Sequence, residues 1–174
     1  MGQKSSKGLK RVADRAMDMA GGMAGMASAS GTSGVDSFVE NAAIGNIYEI
    51  SAARIALERA KDPHVREIAV HMIEDHTMAE NQMKSTLRSV RGAQSPPNAP
   101  DKRREKMLDH LREAKDEDFD SRYLEQQELA HQETITLFSS FADQGEDANL
   151  RLYAQGELPG LRRHLEMVRA ARSS

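Results

Sequence analysis

The 174-residue sequence contains no cysteine and no tryptophan, and only 4% of its residues are aromatic. The missing cysteines exclude disulfides, thiolate metal sites, a cysteine nucleophile and a lipidated cysteine. Scarce aromatics and only five prolines, beside abundant Ala, Leu, Glu, Arg and Met, disfavour a sheet and favour helices. No apolar run approaches the ~18 residues of a transmembrane helix. A net charge of −3 gives no reason to expect nucleic acid as a partner. There is no glycine-rich phosphate loop, nucleophile elbow or HExxH pair. Composition therefore predicts one all-α domain, long enough to bury a core.

The first 34 residues differ from the rest: a basic start, then a Met-, Ala-, Gly- and Ser-rich run. "AMDMAGGMAGMA" followed by "ASA" resembles a degenerate signal peptide, but Asp18 and the glycines make a poor hydrophobic segment. "MGQKSS" fits the short, permissive myristoylation pattern, and the methionines offer soft thioethers that suit Cu(I). The simpler expectation is a flexible tail over residues 1–34 that packs loosely, is locally helical, or recruits a protein partner. Residues 35–174 then form the folded domain. Without a convincing signal segment a cytoplasmic location is favoured.

From Asp36 onward the apolar periodicity is helical. A first bundle helix over 37–61 would be capped by Asp36, and Pro63 suits the first turn of a second that runs to about 91. "GAQSPPNAP" breaks the pattern, and "DKRREKMLDHLREA" reads as a short amphipathic helix with an exposed charged face. A third helix begins near "KDEDFD" and ends at Gly145, and Asp147 caps a fourth that runs nearly to the C-terminus. Short first–second and third–fourth connections make antiparallel pairs, and the long second–third link can cross the bundle end. The prediction is an antiparallel four-helix bundle whose crossover carries a short extra helix.

Each seam is apolar except near its middle. There the four helices carry Glu49, His76, His131 and His164 in turn. Glu49 lies 12 residues before Lys61 and His76 lies 13 after Pro63, so at ~1.5 Å per residue they share one level. His131 lies 13 before Gln144 and His164 lies 17 after Asp147, an offset of about one turn that a kink at Pro159 could absorb. Imidazole and carboxylate at one depth suit a divalent Fe, Zn or Mn ion, with Asp75, Asp120, Tyr123, Gln127 and Glu128 as orienting partners or alternative ligands. The competing expectation is a metal-free hydrogen-bonded layer that fixes helix register. His64, His71 and His110 fall off the seams and are expected on solvated faces.

Four stretches carry a family resemblance: "MIEDH", "FDSRY", the "AH" at His131, and "LPGLRRH". Together they resemble the bacterial ferritin-like family catalogued as domain of unknown function 4142, over about residues 36–170. The resemblance implies a ferritin-like fold, commonly in exported proteins, and no established activity. A di-iron site of the ferritin kind needs Glu-x-x-His on two helices. Here Glu128 precedes His131 at that spacing, but Ile73 and Leu161 stand where His76 and His164 would need theirs. Di-iron chemistry is therefore not expected. The expectation is a non-catalytic bundle holding at most one metal ion, in metal handling or stress response, with a metal-free structural or interaction role as the alternative.

Overall fold

The computed structural model describes residues 2–173 as six helices with no strand among them: α1 (Gly2–Ala29), α2 (Val35–Arg59), α3 (Pro63–Leu87), α4 (Lys102–Arg112), α5 (Phe119–Gln144) and α6 (Ala148–Arg172). Helices α2, α3, α6 and α5, in that spatial order, make the four-helix bundle. Local chemistry sets most ends. Asp62 caps α3 by accepting from His64 N, with Pro63 in the first turn, and Asp147 caps α6 by accepting from Asn149 N and Leu150 N. At the start of α2 the cap is Gly34 rather than Asp36, which lies inside the first turn and accepts from Gln94 instead. Helix α3 stops at Leu87, short of residue 91, in a series of turns before Gly92 at φ 77°.

The 31-residue link between α3 and α5 runs lengthwise rather than across one end. It leaves α3 beside the start of α2, where Gln94 meets Asp36. It reaches α5 beside the end of α2, where the Asp120 carboxylate accepts from Lys61 N and Asp62 N and Arg59 lies over the Phe119 ring. Neighbouring bundle helices are consequently all antiparallel, and α4 lies along α2 and α5. One long crossover of this kind fits ferritin-like connectivity.

The apolar core is in two parts. One cluster gathers Tyr48, Ala52, Ala56, Ile68, Met72, Leu111, Phe119 and Val168. The other gathers Phe38, Met83, Phe138, Phe141, Leu150 and Tyr153, with Phe38 and Phe141 stacked at 4.0 Å between ring centroids. Between them lies a layer of buried polar groups.

The N-terminal segment is the largest departure from the sequence expectation. Residues 2–29 form helix α1, docked along α5 and α4 rather than a flexible tail, although the "MGQKSS" pattern begins outside the described residues. Its inward face is made of glycines, Ala29 and two acids, Asp14 and Asp18, instead of large apolar groups. A Cβ on Gly25 would come within 2.5 Å of the Glu133 carboxylate, so a larger residue there would have to push that carboxylate away from its place on Arg103 and Arg104. Asp18 is buried there and accepts from His110 Nδ1 at 2.8 Å and Gln126 Nε2 at 2.8 Å, with Arg122 at 3.4 Å. Two expectations are corrected as a result: His110 is buried beneath α1, and Arg104 of the "DKRREK" run is buried against Glu133 and Asp101. Among the described residues no helix is long and apolar enough to cross a membrane.

Replacing Asp18 with Ala takes the acceptor from His110 Nδ1 and one of the two acceptors from Gln126 Nε2, which costs about 1–3 kcal/mol and lowers the melting midpoint by roughly 2–10 °C. Thermal denaturation followed by circular dichroism checks this. An unchanged midpoint would mean that α1 does not hold to the bundle.

Candidate metal centre

The polar layer is built from one level of each bundle helix. His76 projects from α3, His131 from α5 and His164 from α6, and their ring centroids are 5.4–5.5 Å apart. All three are at most 3% exposed. The one-turn offset counted along the third and fourth helices does not separate His131 and His164, whose ring nitrogens face each other at 3.3 Å.

Each imidazole has one nitrogen committed to an acceptor. His76 Nδ1 donates to Asn46 Oδ1 at 2.9 Å, His131 Nδ1 to the Gln127 main-chain carbonyl at 2.9 Å, and His164 Nε2 to Asp75 Oδ2 at 2.8 Å. A neutral imidazole has only one N–H, so these bonds fix the tautomers and leave lone pairs on His76 Nε2, His131 Nε2 and His164 Nδ1. One nitrogen of each ring lies within 4.8 Å of one nitrogen of each of the others, and His131 Nε2 and His164 Nδ1 are 3.3 Å apart. His76 Nε2 has no hydrogen-bond partner, and in the 3.3 Å approach of His131 to His164 neither nitrogen has a proton to give. Two ligands on one tetrahedral ion at ~2.0–2.1 Å stand about 3.4 Å apart, close to that separation.

Burial keeps these rings neutral. It pushes His131 down to about 3, helped by the neighbouring His164 and opposed by the bond to Gln127. It also pushes His76 well below the ordinary imidazole value, with His131 and His164 adding to the effect. His164 is lowered too, by burial working against the Asp75 carboxylate. Neutral imidazole is the form that binds a metal ion.

The remaining sequence candidates fall into three places. Glu49, 1% exposed, lies at the other edge of His131, with Oε1 3.5 Å from Nδ1, and is outside the group of three converging nitrogens. Its two carboxylate oxygens, the Tyr123 hydroxyl and both Gln127 amide atoms are buried without hydrogen-bond partners. Burial pushes the Glu49 carboxyl up to about 8, held back by the nearby Gln127 amide, although no hydrogen bond closes between them, and by Arg104. The Tyr123 hydroxyl is raised by burial and then by Glu49. Asp75 Oδ2 accepts from His164 Nε2 and meets Arg163 at 3.4 Å. Asp120 and Glu128 are elsewhere. Asp120 holds the α2–α3 turn at one end, and Glu128 ties α5 to Arg169 and Arg172 of α6. Asn46, which orients His76, lies one helical turn before Glu49, and as an uncharged amide it escapes a search for charged or imidazole groups at the common depth.

Beside His76 and His164 a cavity of about 230 Å³ opens between α3 and α6. Asp75 and Glu157 line it, and burial, followed by the Asp75 charge, raises the Glu157 carboxyl.

Comparison with known proteins agrees with the fold. The family model described as "Domain of unknown function (DUF4142)" matches residues 21–171, which takes in the last third of α1. No curated protein matches the sequence. The crystal structure of a DUF305 fragment from Deinococcus radiodurans is similar at a TM-score of 0.69, with 17% identity, covering 83% of this chain and 98% of that one. At that identity the likeness speaks for the helical fold alone.

Glu49 and the histidines oppose each other in their pH dependence. Glu49 has a folded value raised from 4.5 to about 8, so its favourable contribution is complete below 4.5 and is lost as pH rises to about 8. His131, lowered from 6.5 to about 3, contributes stability that is present above 6.5 and lost as pH falls towards 3. Above pH 6.5 the histidine slope is absent and the Glu49 slope remains, with Glu157, also raised, acting in the same direction. From pH 6.5 to 8 the metal-free protein should lose about 2 kcal/mol, or roughly 4–8 °C of melting midpoint. Chelator-treated Glu49→Gln should show a much smaller fall. Melting curves across that range check both.

Proposed function

The chain belongs to the DUF4142 family, and we propose that within it this bundle binds a single divalent metal ion through His76 Nε2, His131 Nε2 and His164 Nδ1. The observation that carries the proposal is the convergence of three lone pairs whose partner nitrogens are already committed. A buried group of this kind needs something to satisfy it, and a cation supplies what the protein does not. Three imidazoles without a thiolate suit Zn(II) or Fe(II) better than Mn(II), which prefers oxygen ligands. Asn46, the Gln127 carbonyl and Asp75 hold the rings in orientation, which is how outer hydrogen bonds commonly support metal-bound histidine.

The reading is of holding a metal rather than turning over a substrate. Ile73 packs against one apolar cluster and Leu161 lies inside the other, so the positions that would complete di-iron Glu-x-x-His pairs are part of the hydrophobic packing. Glu49 fits as a buried counter-charge: its carboxyl, pushed up to about 8 by burial, ionises beside His131 when a cation enters and offsets part of the positive charge brought into the core. The place of such a protein is in metal handling or stress response. The alternative, a metal-free layer that sets helix register, needs His131 or His164 to give up its present acceptor and donate across their 3.3 Å contact, and it leaves His76 Nε2 unexplained.

Metal analysis and melting decide between them. At Zn(II) a hundredfold above the dissociation constant, binding to the folded state alone adds about 2.7 kcal/mol, or roughly 5–10 °C. His76→Leu, which fits the apolar seam, should remain helical and lose that shift. Identical wild-type midpoints with chelator and with Zn(II) or Fe(II), together with no metal in the purified protein, would contradict the proposal.

A further inference from the structure

Helix α6 breaks its own propensity at one place. Gly156, Pro159 and Gly160 fall within a single stretch of an otherwise helix-favouring segment. Glycine and proline are the two poorest helix formers, so something other than local stability keeps them there. Packing does not require the glycines. A Cβ on Gly156 would meet nothing within 4 Å, and one on Gly160 would meet only the Arg163 guanidinium, at 3.8 Å.

What the absent side chains leave is space. Both glycines line the 230 Å³ cavity that has His76 and His164 on its wall. The exposed Arg163 and the part-exposed Asp75 lie on the solvent side, and the two histidines on the buried side. Its charged lining is two carboxylates, Asp75 and Glu157, against one cation, Arg163, which Asp75 already engages. At ~30 Å³ per water, a divalent ion with six waters needs about 180 Å³, which this cavity provides and a bare ion would not need.

We propose that this cavity is the port through which a hydrated divalent cation reaches the three histidines, with Glu157 drawing the ion in and Gly156 and Gly160 keeping the passage open. The proposal rests on the metal reading above. Water is shed along the way, and the ion exchanges it for imidazole nitrogens, His76 Nε2 and His164 Nδ1 being the ligands on the cavity wall. Glu157 acts on the rate of arrival, because a carboxylate at a passage raises the local concentration of cations in a salt-sensitive way.

The experiment is stopped-flow mixing of chelator-treated full-length protein with Zn(II), read by competition with a chromophoric chelator. Gly156→Leu and Gly160→Leu should each slow both association and release by roughly tenfold or more while leaving the equilibrium affinity nearly unchanged, since the port is no part of the bound state. Their Ala counterparts should bind at close to the wild-type rate and melt higher. Glu157→Gln should slow association roughly threefold at low salt, and the difference should vanish at high salt. Folded Leu variants that load at the wild-type rate would overturn the port and leave the metal site standing. Variants whose affinity falls along with the association rate would also overturn it, by making the cavity part of the bound site. If neither Leu variant folds, an unchanged association rate in Glu157→Gln overturns the proposal. Wild type that takes up no Zn(II) would instead refute the metal reading on which the port depends.

Discussion

The constraint on which this structure turns is a set of imidazole lone pairs buried at mid-height in the bundle. His76, His131 and His164 are nearly inaccessible, neutral, and aimed at one another. Burying polar groups without partners costs free energy, and an apolar residue at any of the three seams would avoid it. The bundle offsets the cost with apolar clusters on both sides of the layer, Phe38, Phe138 and Phe141 on one side and Phe119, Met72 and Leu111 on the other. It also spends hydrogen bonds from three separate helices to hold the rings in the tautomers that leave their free nitrogens converging. One nitrogen of each ring is paired in this way, and His76 Nε2 is left without a partner.

Around this centre the other elements act as supports. The lengthwise crossover puts α3 and α5 in the same direction, so that residues roughly equidistant from their N-termini, His76 and His131, share a level. Asp120 fixes that register at one end by capping the α2–α3 turn from the first turn of α5. Outside the bundle, α1 closes over α4 and α5 through Asp18, His110, Arg122 and Gln126, and Gln126 reaches inward to accept from the Tyr48 hydroxyl. A hydrogen-bonded path therefore runs from the docked N-terminal helix to a residue adjoining Glu49.

The seams, the start of α3 at Pro63, the Asp147 cap, the break at residues 92–100 and the common depth of the polar groups were legible because each rests on local chemistry or on helical period. Helix α1 was not. A helix normally announces its buried face by large apolar residues at three- and four-residue spacing, and this one docks through Gly25 and Asp18 while Met17, Met19 and Met23 remain exposed. His110 was misplaced for the same reason, since its burial comes from α1 and not from its own amphipathic face. Asp120 and Glu128 show the limit in the other direction. Both are acidic residues near the seam of α5, yet one caps a turn and the other pairs with arginines, which depends on tertiary neighbours that spacing does not reveal.

Zinc K-edge X-ray absorption of the Zn(II)-loaded protein tests the central claim most directly. The account predicts three nitrogen scatterers at ~2.0–2.1 Å with the outer-shell pattern of imidazole, falling to fewer imidazoles in His76→Leu. A spectrum dominated by oxygen ligands, or one unchanged in His76→Leu, would contradict it.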